Sequence, residues 1–185
     1  MFPDLSESIM NICRRWNVPI QFTGDEDINS KSVEKFIADP KARLIIYSGL
    51  GGQIVSERII RVAPPLLHLH SGWLPKYRGS TTIYYSLLNG ELPAVSAILL
   101  NKGIDTGPLI MQKLYPNPPY WVDIDQVYDP TIRADLLCRL MIKYVANGTL
   151  KEHSHQSDIK AHTYYVIHPV LKHLAIISSK EKKHA

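Results

Sequence analysis

The chain has 185 residues, of which 45% are hydrophobic, enough for one domain with a real core. Its 21 lysines and arginines against 17 aspartates and glutamates leave a formal net charge of +4, inflated by Lys180, Lys182 and Lys183 near the end. No basic stripe with interleaved aromatics points to nucleic acid, no apolar stretch is long enough to span a bilayer, and the opening Met-Phe-Pro-Asp-Leu-Ser-Glu is not a signal peptide. A cytoplasmic protein is expected.

In chain order, Asp4 or Ser6 caps a first helix to about residue 16, with Ile9, Ile12 and Cys13 at helical spacing. Residues 18–23 read as a short strand with Pro19 at its edge or start. Asn29 or Ser30 caps a helix over 33–38, which Pro40 ends. Residues 44–47 form an apolar run with the look of a central parallel strand, followed by a polar-glycine loop and a short helix near 53–60. Cys13 and Cys138 are expected as buried free thiols in helices, which suits a reducing compartment.

Leu66, Leu67 and Leu69 predict a buried strand. Alternation on it sends His68 and His70 to one side, at a carboxyl end broken by Ser71-Gly72. A helix over about 80–88 follows. Strands at 95–100 and 108–114, joined by Asn101-Lys102-Gly103-Ile104-Asp105-Thr106-Gly107, pair antiparallel. Asp129 caps and Pro130 opens a helix to about 146, closed by Asn147-Gly148. Residues 164–167 make a short strand, and Pro169 opens a terminal helix. Strand-helix alternation with short links predicts an α/β fold built on a doubly wound, mostly parallel sheet. The expected division is 1–122 for the α/β core and 123–185 for a helix and small appendage. In such sheets the ligand lies at the strands' carboxyl ends, where His68, His70 and Asp105 are expected to converge.

His-x-His-Ser-x-x-Leu-Pro-x-Tyr-Arg-Gly at 68–79, Leu-Asn-Gly-Glu at 88–91 and Gly-Ile-Asp-Thr-Gly at 103–107 resemble the formyltransferase family, over about 45–114. Its members move a formyl group from 10-formyltetrahydrofolate to an amine. The resemblance implies a Rossmann-related fold with a methionyl-tRNA formyltransferase-like catalytic core. It also implies that the first βα units have no counterpart here, since the chain starts on what resembles a later helix. Exposed sheet edges would then favour self-association, and a homo-oligomer is one expectation.

The same resemblance implies the site. His70 carries protons, Asp105 holds its ring, and His68 stands where the family has an asparagine that donates to the oxyanion. A histidine donates there through one nitrogen, or through both when protonated, which would give the rate a pH dependence below neutrality. Gln53, Ile54 and Val55 match the segment beside the pterin, and Asn101, Lys102, Gly103 and Ile104 the loop on its other side. Lys76 and Arg78 follow the catalytic strand; Arg78 clamps a substrate phosphate or carboxylate, or braces the loop. Tyr84-Tyr85 and Tyr164-Tyr165 either stack on a base or sugar or pack a core.

The expected activity is N-formylation of a small primary amine, an amino sugar on a nucleotide carrier first, with the net positive charge suiting such an anion. The transfer-RNA branch carries an extra C-terminal barrel, for which this chain ends too soon; the purine-pathway branch stays open. The alternative is a catalytically silent relative that binds folate or a partner. His68, His70 and Asp105 would also suit a zinc or iron facial triad, and His153-Ser-His155 is another imidazole pair. With no further ligand motif in the sequence, no metal is assigned.

Overall fold

The computed structural model describes residues 6–38, 41–150, 155–157 and 161–181. Twelve regular elements and one π-helical turn follow in order: α1 (Ile9–Arg15), α2 (Lys31–Ile37), β1 (Ile45–Tyr47), α3 (Glu57–Val62), β2 (Leu66–His70), β3 (Tyr77–Gly79), α4 (Thr82–Leu88), β4 (Ala94–Leu99), β5 (Leu109–Leu114), the π turn Ile124–Tyr128, α5 (Asp129–Asn147), β6 (His162–Tyr164) and α6 (Pro169–Glu181).

Strand β2 sits inside a four-stranded sheet of order β1-β2-β4-β5. It pairs parallel with β1 and antiparallel with β4, which pairs antiparallel with β5. The fold is α/β, as expected, and the 95–100/108–114 hairpin forms. The sheet is nevertheless mixed: within these four strands only β1 and β2 pair parallel, because β4 enters beside β2 from the opposite direction. Residues 18–23 form no strand, and the alternate side chains Val18, Ile20 and Phe22 are exposed.

Alternation on β2 divides the core. Leu67 and Leu69 point into a large cluster with Ile83 and Leu87 of α4, Val95 and Ala97 of β4, Ile132, Leu136 and Leu140 of α5, and Ala175 of α6. Leu66 joins Val33, Ile37, Val55 and Ile59 in a second cluster beneath α2 and α3. The first cluster runs straight across residue 122, so the expected boundary there is not a break in packing. Burial of side chains such as Leu67 and Leu136, both 0% exposed, stabilises the fold by roughly 2 kcal/mol each.

Helix signals held with small shifts. Ser8 caps α1, accepting from the Asn11 N–H at 3.3 Å, and Ser30 caps α2; Asp4 and Pro40 lie outside the described residues. The expected cap Asp129 is displaced by Asp123, whose carboxylate accepts from the Gln126 N–H at 2.7 Å and starts the π turn. Gly148 closes α5 with φ +72°. The inward stripe of α5 is Ile132, Leu136 and Leu140, which turns Cys138 outward. Cys138 is therefore exposed and Cys13 half-buried, correcting the expectation of two buried thiols.

One pairing had no local signal. β3 and β6 form a separate parallel pair, Tyr77 opposite His162 and Gly79 opposite Tyr164, which ties the C-terminal segment to the chain just after the histidine strand. Tyr77 and Tyr85 both pack on the Tyr164 ring, with centroids at 5.5 and 4.4 Å, and Tyr84 is buried. Among the described residues no helix is long and apolar enough to cross a membrane.

Candidate active site

His70 ends β2 and is 5% exposed. The chain turns back at once through Gly72, where a Cβ would stand 2.7 Å from both His70 Nε2 and the Tyr77 carbonyl oxygen, so this turn admits only glycine. His70 Nε2 lies 2.6 Å from that carbonyl. A carbonyl only accepts, so Nε2 carries the proton and the ring orientation is set. The other nitrogen, Nδ1, faces Asp105 Oδ2 at 3.4 Å.

Asp105 arrives from the β4–β5 loop in the left-handed region, φ +50°, which aspartate tolerates better than most residues. The loop is braced from within and without. Asn101 Oδ1 accepts from the Gly103 N–H at 3.0 Å and the Thr106 hydroxyl at 2.7 Å. Gln156 Nε2 donates to the Asp105 and Gly107 carbonyls, both at 2.8 Å. Asp105 Oδ2 also accepts from the Gly79 N–H at 2.8 Å.

His68 leaves the same face of β2, and its Nδ1 lies 3.3 Å from the Tyr47 carbonyl oxygen. For the same reason as at His70, the proton sits on Nδ1, leaving Nε2 as a lone pair. Burial pushes this ring's pKa below the usual imidazole value, and His70 adds to the effect; the Tyr47 carbonyl and Asp105 oppose it and lose. With its Nδ1 hydrogen given to Tyr47, the ring presents a lone pair at Nε2, where an asparagine amide would present a donor.

These three side chains form one wall of a cavity of about 600 Å³. Its other walls are the loop from Gly49 to Val55, the loop from Leu100 to Asp105, and Asp125, Asp129 and Arg133 from the helical side. Leu50, Ile54 and Ile104 are exposed apolar side chains on the two loops that flank it.

Residues 20–129 match the formyl transferase family. The chain belongs to that family. Two methionyl-tRNA formyltransferases, from Nitratiruptor sp. and Sulfurovum sp., are 43% identical over 95 residues and 34% over 84, covering 51% and 45% of this chain. Those stretches are only 31% and 27% of the relatives' own length, so this chain corresponds to a part of them. Among solved structures, a sugar N-formyltransferase from Shewanella sp. superposes with TM-score 0.59 at 18% identity, over 82% of this chain and 65% of that one. An N-formyltransferase from Helicobacter canadensis, solved with folinic acid and dTDP-3-aminofucose, superposes with TM-score 0.60 at 18% identity, over 97% of this chain and 67% of that one.

Within this family member the expected cofactor-side residues divide. Gln53, Ile54, Val55, Asn101, Gly103 and Ile104 line the cavity; Lys102 does not. The side chain of Gln53 is committed to its own loop, donating to the Glu26 carbonyl at 2.9 Å and accepting from the Tyr47 hydroxyl at 3.4 Å. Lys76 and Arg78, expected to bind substrate, also stay outside the cavity. Lys76 pairs with Glu91 across the surface. Arg78 is 7% exposed and donates to Gln156 Oε1 from two nitrogens, at 3.2 and 3.4 Å, which is the loop-bracing alternative. Of the second imidazole pair, His155 is described and His153 lies outside the described residues.

Four contributors were missed from the sequence: Gly79 and Gln156, which hold Asp105; Tyr77, whose carbonyl holds His70; and Asp129, which accepts from the Ser71 hydroxyl at the strand's end and pairs with Arg133 at 3.1 Å. Tyr77 and Gly79, the ends of the Tyr-Arg-Gly block, carried a local signal; Gln156 carried none, and Asp129 was marked only as a helix cap.

Proposed function

We propose that this chain performs folate-dependent formyl transfer to a primary amine of a small molecule, an amino sugar on a nucleotide carrier being the acceptor class favoured. The observation that carries this reading is the meeting of His68, His70 and Asp105, with ligand-capable atoms within 4.8 Å of one another, on one wall of the cavity. The cavity also fits the co-substrate: about 600 Å³ lies within the usual range for a ligand of this size, roughly 300–1,000 Å³, and Leu50, Ile54 and Ile104 supply apolar walls for a flat ring. Bound there, 10-formyltetrahydrofolate supplies a formyl carbon bonded to nitrogen as the electrophile.

The residues then have distinct tasks. His68 Nε2, the nitrogen not given to Tyr47, accepts the proton that the attacking amine sheds. Asp105 and the ring of His70 hold charge beside it, and a proton returned from this group lets the folate nitrogen leave. The Tyr77 carbonyl and the Gly79 N–H keep both members in place. The sugar acceptor is supported by structural neighbours such as the N-formyltransferase solved with folinic acid and dTDP-3-aminofucose; the sequence relatives are methionyl-tRNA formyltransferases.

One observation favours a second reading, a silent relative that binds folate without turnover. Both nitrogens of His70 already face protein acceptors, and His68 offers no amide donor. Release of tetrahydrofolate from 10-formyltetrahydrofolate, measured with nucleotide-linked amino sugars and methionyl-tRNA as separate acceptors, decides between them. Turnover on an amino sugar that His70→Ala abolishes supports the proposal. Turnover on the tRNA alone moves the acceptor, and folate binding with no turnover establishes the silent relative.

A further inference from the structure

We propose that His68, His70 and Asp105 form a binding site for a divalent transition cation, zinc above all. It goes beyond formyl transfer and does not rest on it, since it concerns the donor atoms and what holds them; an ion on His68 Nε2 would take the lone pair assigned above to the amine's proton, so the loaded and the proton-accepting states of this ring exclude each other.

Three observations point there. Among the described residues this is the one group of three metal-capable side chains whose donor atoms come together, all within 4.8 Å of one another. The best-placed pair, His70 Nδ1 and Asp105 Oδ2, is 3.4 Å apart. Two donors bonded to one tetrahedral zinc at ~2.1 Å stand about 3.4 Å from each other. The separations to the His68 donor lie within 4.8 Å and would contract around a bound ion.

The second observation concerns the atoms behind the donors. An imidazole that binds a metal normally gives its other N–H to a carbonyl or carboxylate, which selects the tautomer and aims the ring. Both rings here are held that way, His70 by the Tyr77 carbonyl at 2.6 Å and His68 by the Tyr47 carbonyl at 3.3 Å. Each is left with a lone pair on the nitrogen that the site needs. Asp105 is steadied likewise by the Gly79 N–H at 2.8 Å. The Tyr77 and Gly79 partners come from β3, soon after the histidine strand, whereas the Tyr47 partner comes from β1 and is brought to His68 by the sheet.

Third, two histidines and one carboxylate leave coordination positions open toward the cavity, the ligand set of catalytic zinc and of non-haem iron sites. Arg133 of α5, which also lines the cavity, would oppose an ion, but it is paired with Asp129 at 3.1 Å.

The test uses the full chain, purified without a histidine tag and stripped with chelator, titrated with Co²⁺ as the visible probe and Zn²⁺ as competitor. One equivalent of Co²⁺ should give d–d absorption bands that Zn²⁺ abolishes. His68→Asn, which restores the family's residue, and Asp105→Asn should each weaken Co²⁺ binding by about 100-fold or more, since even outer partners of metal ligands are worth ~10–100-fold. Circular dichroism checks that each variant is folded, and either one suffices. Absence of bands in the unmodified chain overturns the site, and so do bands that persist in a folded variant.

Discussion

The Gly79 N–H donates to Asp105 Oδ2 at 2.8 Å, and this is the same oxygen that faces His70. Gly79 holds φ +93°, and a Cβ on it would stand 2.1 Å from the Tyr164 carbonyl oxygen. One residue thus joins the C-terminal strand to the candidate catalytic carboxylate. Gly79→Ala should cost more than ~1 kcal/mol of stability and lower kcat at least about tenfold by moving Asp105. Gly148→Ala is the control: its φ is +72°, but no atom lies within 4 Å of the added Cβ. Urea melts of both variants should show the larger loss at Gly79, and equal losses would refute the clash.

Gln156 fixes the loop from the opposite side, giving two bonds to the Asp105 and Gly107 carbonyls and taking two from Arg78. Gln156→Leu removes all of these at similar size. Stability should fall by roughly 1–3 kcal/mol. As Gln156 does not line the cavity, steady-state kinetics should show a reduced kcat with the KM for the folate little changed. A raised KM with kcat intact would mean that Gln156 touches ligand.

Leu136 of α5 is 0% exposed and packs in the same cluster as Leu67 and Leu69 of the histidine strand. Leu136→Ala should destabilise by about 3 kcal/mol, a transfer loss plus a cavity. Because the cluster crosses residue 122, thermal unfolding by circular dichroism and by tryptophan fluorescence should coincide in one transition, shifted downward as a whole. Two separated transitions would instead mark 123–185 as an independent unit.

Asp135 sits on α5 with the Arg139 guanidinium against both carboxylate oxygens, at 2.9 and 3.0 Å. That contact first, then Lys113 at 2.6 Å and Tyr115 at 2.9 Å, hold its carboxyl well below the usual aspartate value despite partial burial. A depressed folded-state pKa means stability that is fully present above the unfolded value of about 4 and lost as pH falls through the folded one. Asp135→Asn should therefore be less stable than the parent at pH 7, with the gap closing steadily below about pH 4. Denaturant midpoints from pH 7 to 2.5 measure it, and a gap that is constant with pH would contradict the assignment. As the Arg139 and Asp135 side chains are 56% and 35% exposed, added salt should shrink the effect.

Much of the fold was legible because its signals are local. Serine caps before α2, the apolar run of β2, the glycine-rich link of the β4–β5 hairpin and Gly148 after α5 each act over a few residues. What misled was also local: Val18 to Thr23 has a strand's composition but no sheet neighbour among the described residues, and Cys138 looked apolar-flanked until the helical stripe of α5 turned it outward. The pairing of β3 with β6 spans some eighty residues, and nothing near Tyr77 or Tyr164 announces it.

The order of residues alone determined that two imidazoles share one face of a strand, since alternation is a property of the extended backbone, and it determined the family through blocks in the right order. Only the tertiary structure decided what those imidazoles can do. Carbonyls of Tyr47 and Tyr77 choose which nitrogen keeps its proton, and Gly79 and Gln156 choose where Asp105 stands. Proton position and carboxylate position depend on atoms brought within 3.5 Å by packing, and chain order does not encode such distances locally.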